Sequence, residues 1–232
     1  MTVVTLEIDG IQVGANSDQS ILDVAKVHDI HIPTMCFVEG LSPWGGCRLC
    51  IVNVEGAPRP LSSCTTLVTE GMVVTTVSDK LEKYRRMTLE MLFSEGNHTC
   101  SVCVSNGHCE LQDKAQEVKM DHVRLPYLNK MRNMDSTHQY FGFDQNRCIL
   151  CTRCVRVCSE IEGAQTWGVG GRGINSHIIS DLGNSWGESD SCTSCGKCVQ
   201  VCPTGSLVNK GNAVNEQEKK FNFLKYLTDM RE

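Results

Sequence analysis

Residues 146–158, NRCILCTRCVRVC, and residues 190–203, DSCTSCGKCVQVCP, are two copies of one pattern. Each places three cysteines at intervals of two residues and a fourth after three more: Cys148, Cys151, Cys154 and Cys158, then Cys192, Cys195, Cys198 and Cys202. Cysteines serving as small buried apolar residues have no reason to keep a spacing. Thiolates that do keep one are soft ligands for zinc or iron. The other cysteines are also grouped, as Cys36, Cys47, Cys50 and Cys64, then Cys100, Cys103 and Cys109, fifteen in 232 residues. That odd count, behind a start (MTVVTLEIDG) without basic flank or apolar signal core, argues against a secreted disulfide framework and for the cytoplasm.

Composition narrows the class further. With 41% apolar and 21% charged residues and six prolines the chain is globular. A net charge of −5 offers no basic excess for nucleic acid. No apolar stretch reaches the roughly 18–20 residues of a membrane span.

Three thiolates at successive two-residue gaps reach three corners of a 4Fe–4S cube, and in the bacterial ferredoxin run the fourth ligates the other cluster. The pattern therefore pairs Cys148, Cys151 and Cys154 with Cys202, and Cys192, Cys195 and Cys198 with Cys158. Structural zinc prefers two pairs of ligands at one tetrahedral centre. Thr152 and Gly196 are small residues where the loops must pass close to sulfide. Ser159 stands where the usual proline would follow Cys158, and residues 159–191 lengthen the middle of the run, but no ligand is lost.

Upstream, TVVTLEI (2–8), Asp9-Gly10 and IQV read as a hairpin. Asp18 is the expected cap of a helix with Ile21, Leu22, Ala25 and His28 on one side. Strands are expected at Ile51–Val54 and Met72–Val77. This small α+β unit carries Cys36, Cys47, Cys50 and Cys64. A plant-type 2Fe–2S centre uses C-x4-C-x2-C and a distant fourth cysteine. The central pair and the remote fourth ligand are kept here, with the first gap lengthened. A four-cysteine zinc site is the alternative for this segment alone.

Helices are expected at 79–96 (Leu81, Tyr84, Thr88 and Leu92 on one side) and 110–120. Between them Cys100, Cys103 and Cys109 offer three thiolates, while all other cysteines are assigned. His98 is the best fourth ligand, with His108 the alternative, and imidazole in place of thiolate raises a cluster's potential. Residues 121–138 read as a linker, and 215–230 as an amphipathic helix with Phe221, Leu224, Leu227 and Met230 near one side. That helix packs either on its own domain or on a partner. Gly168–Gly173 satisfies GxGxxG, but a strand pattern follows it instead of the helix that dinucleotide binding needs.

In this order, a long-gap quartet, a trio with a nearby histidine and a doubled ferredoxin run resemble the N-terminal part of the large iron–sulfur subunit of respiratory complex I. Similar arrangements open some iron-only hydrogenases and formate dehydrogenases. In length and layout the chain resembles the diaphorase small subunits of bidirectional NAD-reducing nickel–iron hydrogenases (the Hox type). Complex I has H-x3-C before the trio; here position 96 is glycine and His98-x-Cys100 is the shorter Hox-like form. No cysteine follows Cys202, unlike in iron-only hydrogenases, and the chain ends where longer relatives continue, so no catalytic domain is expected.

The expectation is thus an α+β protein of domains in series. They are a β-grasp 2Fe–2S ferredoxin-like domain (1–78), a small helical 4Fe–4S domain with one histidine and three cysteine ligands (79–120), a linker (121–138), a bacterial-type two-cubane ferredoxin domain (139–210) and a helical tail (211–232). One 2Fe–2S and three 4Fe–4S clusters, about 14 irons, bring the formal charge to about −12. Arg48, Arg147, Arg153, Arg156 and Lys197 either offset that charge or are ordinary solvated surface. No flavin or NAD is expected on the chain, and its function is non-catalytic electron relay. The resemblance implies a flavin/NADH-binding diaphorase subunit, the small and large nickel–iron hydrogenase subunits and a further 2Fe–2S subunit as partners. The alternatives are the same wire in another NADH- or formate-linked complex and, from a different class, a zinc-stabilised binding module.

Overall fold

The computed structural model describes residues 2–230; positions 1, 231 and 232, at the ends of the first and last expected domains, lie outside the described residues. The chain divides into two compact units. One comprises Met1–Phe37, Pro43–Leu89 and Lys114–Asp121, the other Val38–Ser42, Glu90–Asp113 and His122–Glu232.

In the first unit β1 (Val3–Ile8) and β2 (Ile11–Asn16) form the expected hairpin, registered Ile8 to Ile11. Asp9 and Gly10 both have positive φ, 50° and 83°, as a two-residue turn of this hand requires. Helix α1 (Ile21–Val27) is capped by Ser20, not Asp18: its side chain accepts from the Asp23 N–H at 3.2 Å, and Asp23 accepts from the Ser20 N–H at 3.0 Å. That reciprocal box satisfies two first-turn donors, which Asp18 is too distant to do. His28 is the exposed C-cap and not part of the buried side.

Strands β3 (Ile51–Val54), β4 (Leu61–Ser62) and β5 (Val73–Thr75) complete a sheet ordered β2-β1-β5-β3-β4. β5 runs parallel to β1 and antiparallel to β3. Leu6, Ile8, Val52 and Val74 pack with α1, and Cys50 and Cys64 belong to the same core.

Helix α2 (Asp79–Glu95) buries Leu81, Arg85 and Leu89 at four-residue spacing. Arg85 donates to the carbonyls of Leu49, Ile51 and Thr76, which is how a cation is tolerated on the buried stripe. Helix α3 (Glu110–Glu117) ends earlier than expected. Lys119 turns left-handed at φ 53°, and the N–H groups of Lys119 and Met120 close back on Gln116 and Ala115.

The second unit contains β6 (Met134–Asp135), inside the segment expected as linker, and β7 (Phe141–Asp144). Helix α4 (Arg153–Arg156) follows the first cysteine run. Strands β8 (Trp167–Gly170) and β9 (His177–Ser180) form an antiparallel hairpin whose connection holds the end of the GxGxxG match; only a single 3-10 turn, Gly173–Asn175, follows it before β9, in place of the α-helix a dinucleotide site needs. Helix α5 (Lys197–Val201) follows the second run, and β10 (Leu207–Asn209) completes a sheet ordered β10-β7-β6.

Helix α6 covers only Asn222–Asp229; residues 215–221 precede it as turn and extended chain around the buried Gln217, whose Oε1 accepts from the Asn209 N–H. Leu224 is buried in this unit's own core and Phe221 packs against it, while Met230 is exposed. Among the described residues no helix is long and apolar enough to cross a membrane.

Candidate metal centres

The first quartet sits on the long loop before β3 and on the turn after β4. Cys36 donates its N–H to Cys47 Sγ at 3.4 Å, and Cys64 Sγ lies 3.4 Å from Cys50 Sγ. The hydrogen bond with Cys64 lowers Cys50 to about 6. Cys64 is pushed up by that bond, by burial and by the charges of Cys50, Cys36 and Cys47. The four sulfurs therefore feel one another inside a largely buried loop, an arrangement relieved by a cation-rich group between them. Arg48 holds the loop with φ 58° and donates to Ser62 Oγ at 2.6 Å.

The middle set lines one cavity, whose walls include His98, Cys100, Cys103, Cys109 and Gly205. Cys109 immediately precedes α3, so the Leu111 and Gln112 N–H groups point at its sulfur; burial still pushes its thiol up to about 12. Nε2 of His98 is buried without a hydrogen-bond partner. The ring bonds the Leu92 carbonyl, which leaves Nδ1 as the donor. Burial and the nearby Arg147 charge lower its pKa to about 4. At neutral pH the ring is therefore uncharged and its orphaned lone pair is available to a metal.

The ring folds back over Gly96, where a Cβ would overlap Nε2, so the short His98-x-Cys100 spacing and the glycine belong together. A Cβ on Gly205 would overlap Cys103 Sγ. His108 is not among the cavity's lining residues.

The doubled run produces two further cavities. Cys148, Cys151, Cys154 and Cys202 line one, and Cys192, Cys195, Cys198 and Cys158 line the other, the crossed grouping read from the spacing. Burial pushes Cys148 to about 11 and Cys151 and Cys198 to about 12. Buried thiols with raised pKa values, four to a cavity, suit a group whose positive charge replaces their protons. Among the described residues no three His, Cys, Asp or Glu side chains close on a single ion.

The basic residues near these runs are not free surface charges. Arg153, 2% exposed, grips both oxygens of Glu110 at 2.6 and 2.8 Å. Arg156 donates to the Ser42 and Cys151 carbonyls. Arg147 pairs with Asp144 and Lys197 with Glu162. Spacing arguments missed Lys219, whose Nζ donates to the Val199 and Leu207 carbonyls; burial lowers its pKa, opposed by negative charge on Cys202, Cys109 and Cys103. They also missed Gly205 and the tryptophans at the second cavity, since none lies in a cysteine run.

Four soft-donor sites on three successive segments define an iron–sulfur protein built for electron transfer. Comparisons with known proteins agree. Residues 1–79 match a 2Fe–2S iron–sulfur cluster binding domain, 85–124 the NADH-ubiquinone oxidoreductase-G iron–sulfur binding region, and 140–208 the ferredoxin-like domain of NADH-quinone oxidoreductase subunit 3.

The gamma subunit of the NAD-reducing hydrogenase HoxS of Cupriavidus necator is 31% identical over 210 residues, 89% of this chain and 87% of that protein. A chain in the crystal structure of an NAD+-reducing nickel–iron hydrogenase in the H2-reduced state superposes with a TM-score of 0.85. It is 33% identical, over 90% of this chain and 88% of that one. The chain belongs to this family of iron–sulfur electron-transfer subunits. The alpha subunit of the NADPH-Fe(3+) oxidoreductase of Geobacter sulfurreducens is 36% identical over 208 residues. The chain spans only 24% of that relative's length.

Proposed function

We propose that this chain holds one 2Fe–2S cluster on Cys36, Cys47, Cys50 and Cys64 and three 4Fe–4S clusters. Their ligands would be His98, Cys100, Cys103 and Cys109; Cys148, Cys151, Cys154 and Cys202; and Cys192, Cys195, Cys198 and Cys158. The expected segmentation at 78, 120, 138 and 210 would then give the first two groups a stretch each and place the two interlocked groups together in 139–210. A bound cluster supplies a site that takes up and gives back one electron without making or breaking a substrate bond. The chain's own residues hold the irons, exclude water and aim donors at the sulfurs.

In this reading the subunit relays single electrons in the cytoplasm between an NADH-oxidising flavoprotein and a nickel–iron hydrogenase. The observation that carries the assignment is the middle cavity. Three thiols and an orphaned, uncharged imidazole nitrogen line one cavity, yet among the described residues no three such side chains close on a single ion, as a zinc module with sulfurs about 2.3 Å from a shared centre would require. The likeness to HoxS gamma along nearly its full length favours hydrogenase partners. The Geobacter sulfurreducens relative favours a second reading, the same wire in another pyridine-nucleotide-linked complex.

Iron and acid-labile sulfide analysis of the intact protein tests the cofactor set, with about 14 irons and no zinc expected. Affinity isolation of the native assembly tests the partners: recovery of nickel–iron hydrogenase subunits supports the first reading, and their replacement by another dehydrogenase supports the second.

A further inference from the structure

Two of the chain's three tryptophans stand at the same cavity. Trp186 is buried, and its indole Nε1 lies 3.2 Å from Cys192 Sγ. Trp167, buried in β8, gives the other indole hydrogen bond to Cys198. The rings meet edge to face with centroids 4.8 Å apart. Phe141 stacks on Trp186 at 5.5 Å and Phe143 meets Trp167 at 5.3 Å.

Trp186 is held from the backbone as well. Its own N–H donates to Asp135 Oδ2 at 2.7 Å, and the Gly187 N–H donates to Thr137 Oγ1 at 2.8 Å. A buried indole N–H needs an acceptor, and here the acceptor on each ring is a cysteine sulfur of the cavity and not a carbonyl or carboxylate.

We infer that Trp186, with Trp167 as its partner, is a potential-setting residue for the cluster held by Cys192, Cys195, Cys198 and Cys158: its N–H stabilises the more negative, one-electron-reduced state at the Cys192 sulfur. Reduction adds one electron, supplied by the neighbouring redox group in the relay, and the N–H bond stays intact. The rings also exclude water, which on its own disfavours added negative charge, so the two effects oppose each other. Replacing Trp by Phe removes the donor while keeping an apolar ring, and so isolates the hydrogen bond. This inference rests on the assignment of a 4Fe–4S cluster to these four thiolates.

The test uses the full chain with its clusters, as wild type, Trp186→Phe and Trp167→Phe, titrated electrochemically with EPR detection. One 4Fe–4S midpoint should move to more negative potential in each variant, while the other centres stay in place and report an intact fold. An unshifted midpoint with all signals present overturns the inference and leaves the cluster assignment standing; wild type without three 4Fe–4S signals overturns the assignment itself. Should either variant lose the cluster, wild-type protein with 15N-labelled indole decides. A weak 15N coupling to one reduced 4Fe–4S centre is expected, and its absence overturns the hydrogen bond.

Discussion

Thr152 and Gly196 hold the same backbone conformation at the same place in the two cysteine runs: φ 57°, ψ 10° and φ 70°, ψ 1°. Each opens the short helix that carries the third cysteine of its run. The residues two positions earlier, Leu150 and Ser194, are also left-handed, at 52° and 56°. The repeated spacing is therefore repeated backbone geometry. A left-handed non-glycine residue costs about 1–2 kcal/mol, and a β-branched one is especially disfavoured.

Gly196→Ala should consequently destabilise the second run. It adds that cost of about 1–2 kcal/mol and brings a Cβ to 3.1 Å from the Phe141 ring. Thr152→Gly should relieve strain in the first run, offset by loss of the Thr152 Oγ1 contact to Arg156 Nε. The urea midpoint for loss of visible absorption should fall for Gly196→Ala and change less for Thr152→Gly.

Gly205→Ala should disturb the middle centre alone, because the new Cβ would overlap Cys103 Sγ and no other ligand. Iron content should drop by about four per chain, with one EPR signal lost and the others unchanged. Full iron content in this variant would show that residues 203–206 can shift to make room.

Glu110→Ala should destabilise the protein by about 3–5 kcal/mol, since it leaves the Arg153 guanidinium buried without its carboxylate. Arg153→Met, which removes the charge but keeps the volume, should cost less. Urea midpoints of the two variants check the order.

The grouping of the sulfurs around the two later cavities was legible because spacing limits which of them can approach one another: Cys202 lines the cavity of Cys148, Cys151 and Cys154, and Cys158 that of Cys192, Cys195 and Cys198. Hairpin and helix positions were legible from alternation and from turn residues such as Asp9-Gly10. What surrounds the sulfurs was not. Trp186 reaches Cys192 through a loop pinned by Asp135, and Gly205 meets Cys103 across about a hundred residues of chain. Arg85 interrupts an apolar stripe because three carbonyls await it, and no periodicity argument contains those carbonyls. Asp18 lost the cap of α1 to Ser20 because only Ser20 has an acidic partner three residues ahead that returns the hydrogen bond.

Glu117 ties stability to pH in the first unit. Burial works to raise its carboxyl, but hydrogen bonds from Lys114 and His31, at 2.6 and 2.7 Å, bring it below its ordinary value. A group depressed in the folded state contributes stability above its unfolded pKa, about 4.3, and loses it as pH falls through the folded value. Half-exposed pairs of this kind are worth at most about 1 kcal/mol. The difference in urea midpoint between wild type and Glu117→Gln should therefore be present at pH 7, hold down to about pH 5, and shrink as the pH falls below about 4.

His98→Cys separates ligation from packing. If Nε2 holds iron, a thiolate in its place keeps four ligands but adds a negative charge, so that one centre's midpoint should move to more negative potential. His98→Ala should instead lose or distort the same signal, because neither Nδ1 nor Nε2 remains. A ring that merely fills space over Gly96 would produce a different pattern. Cysteine is smaller than histidine, so both variants would then loosen the cavity alike, and neither would shift the potential in a direction set by charge. Redox titration of the intact protein with EPR detection reads both outcomes. Since Nδ1 is held by the Leu92 carbonyl at the end of α2, weakening that end should disturb the same centre by letting the ring turn. Phe93, edge-on to the ring at 5.3 Å, is the residue to change: Phe93→Ala should broaden this signal while leaving the other centres as they were.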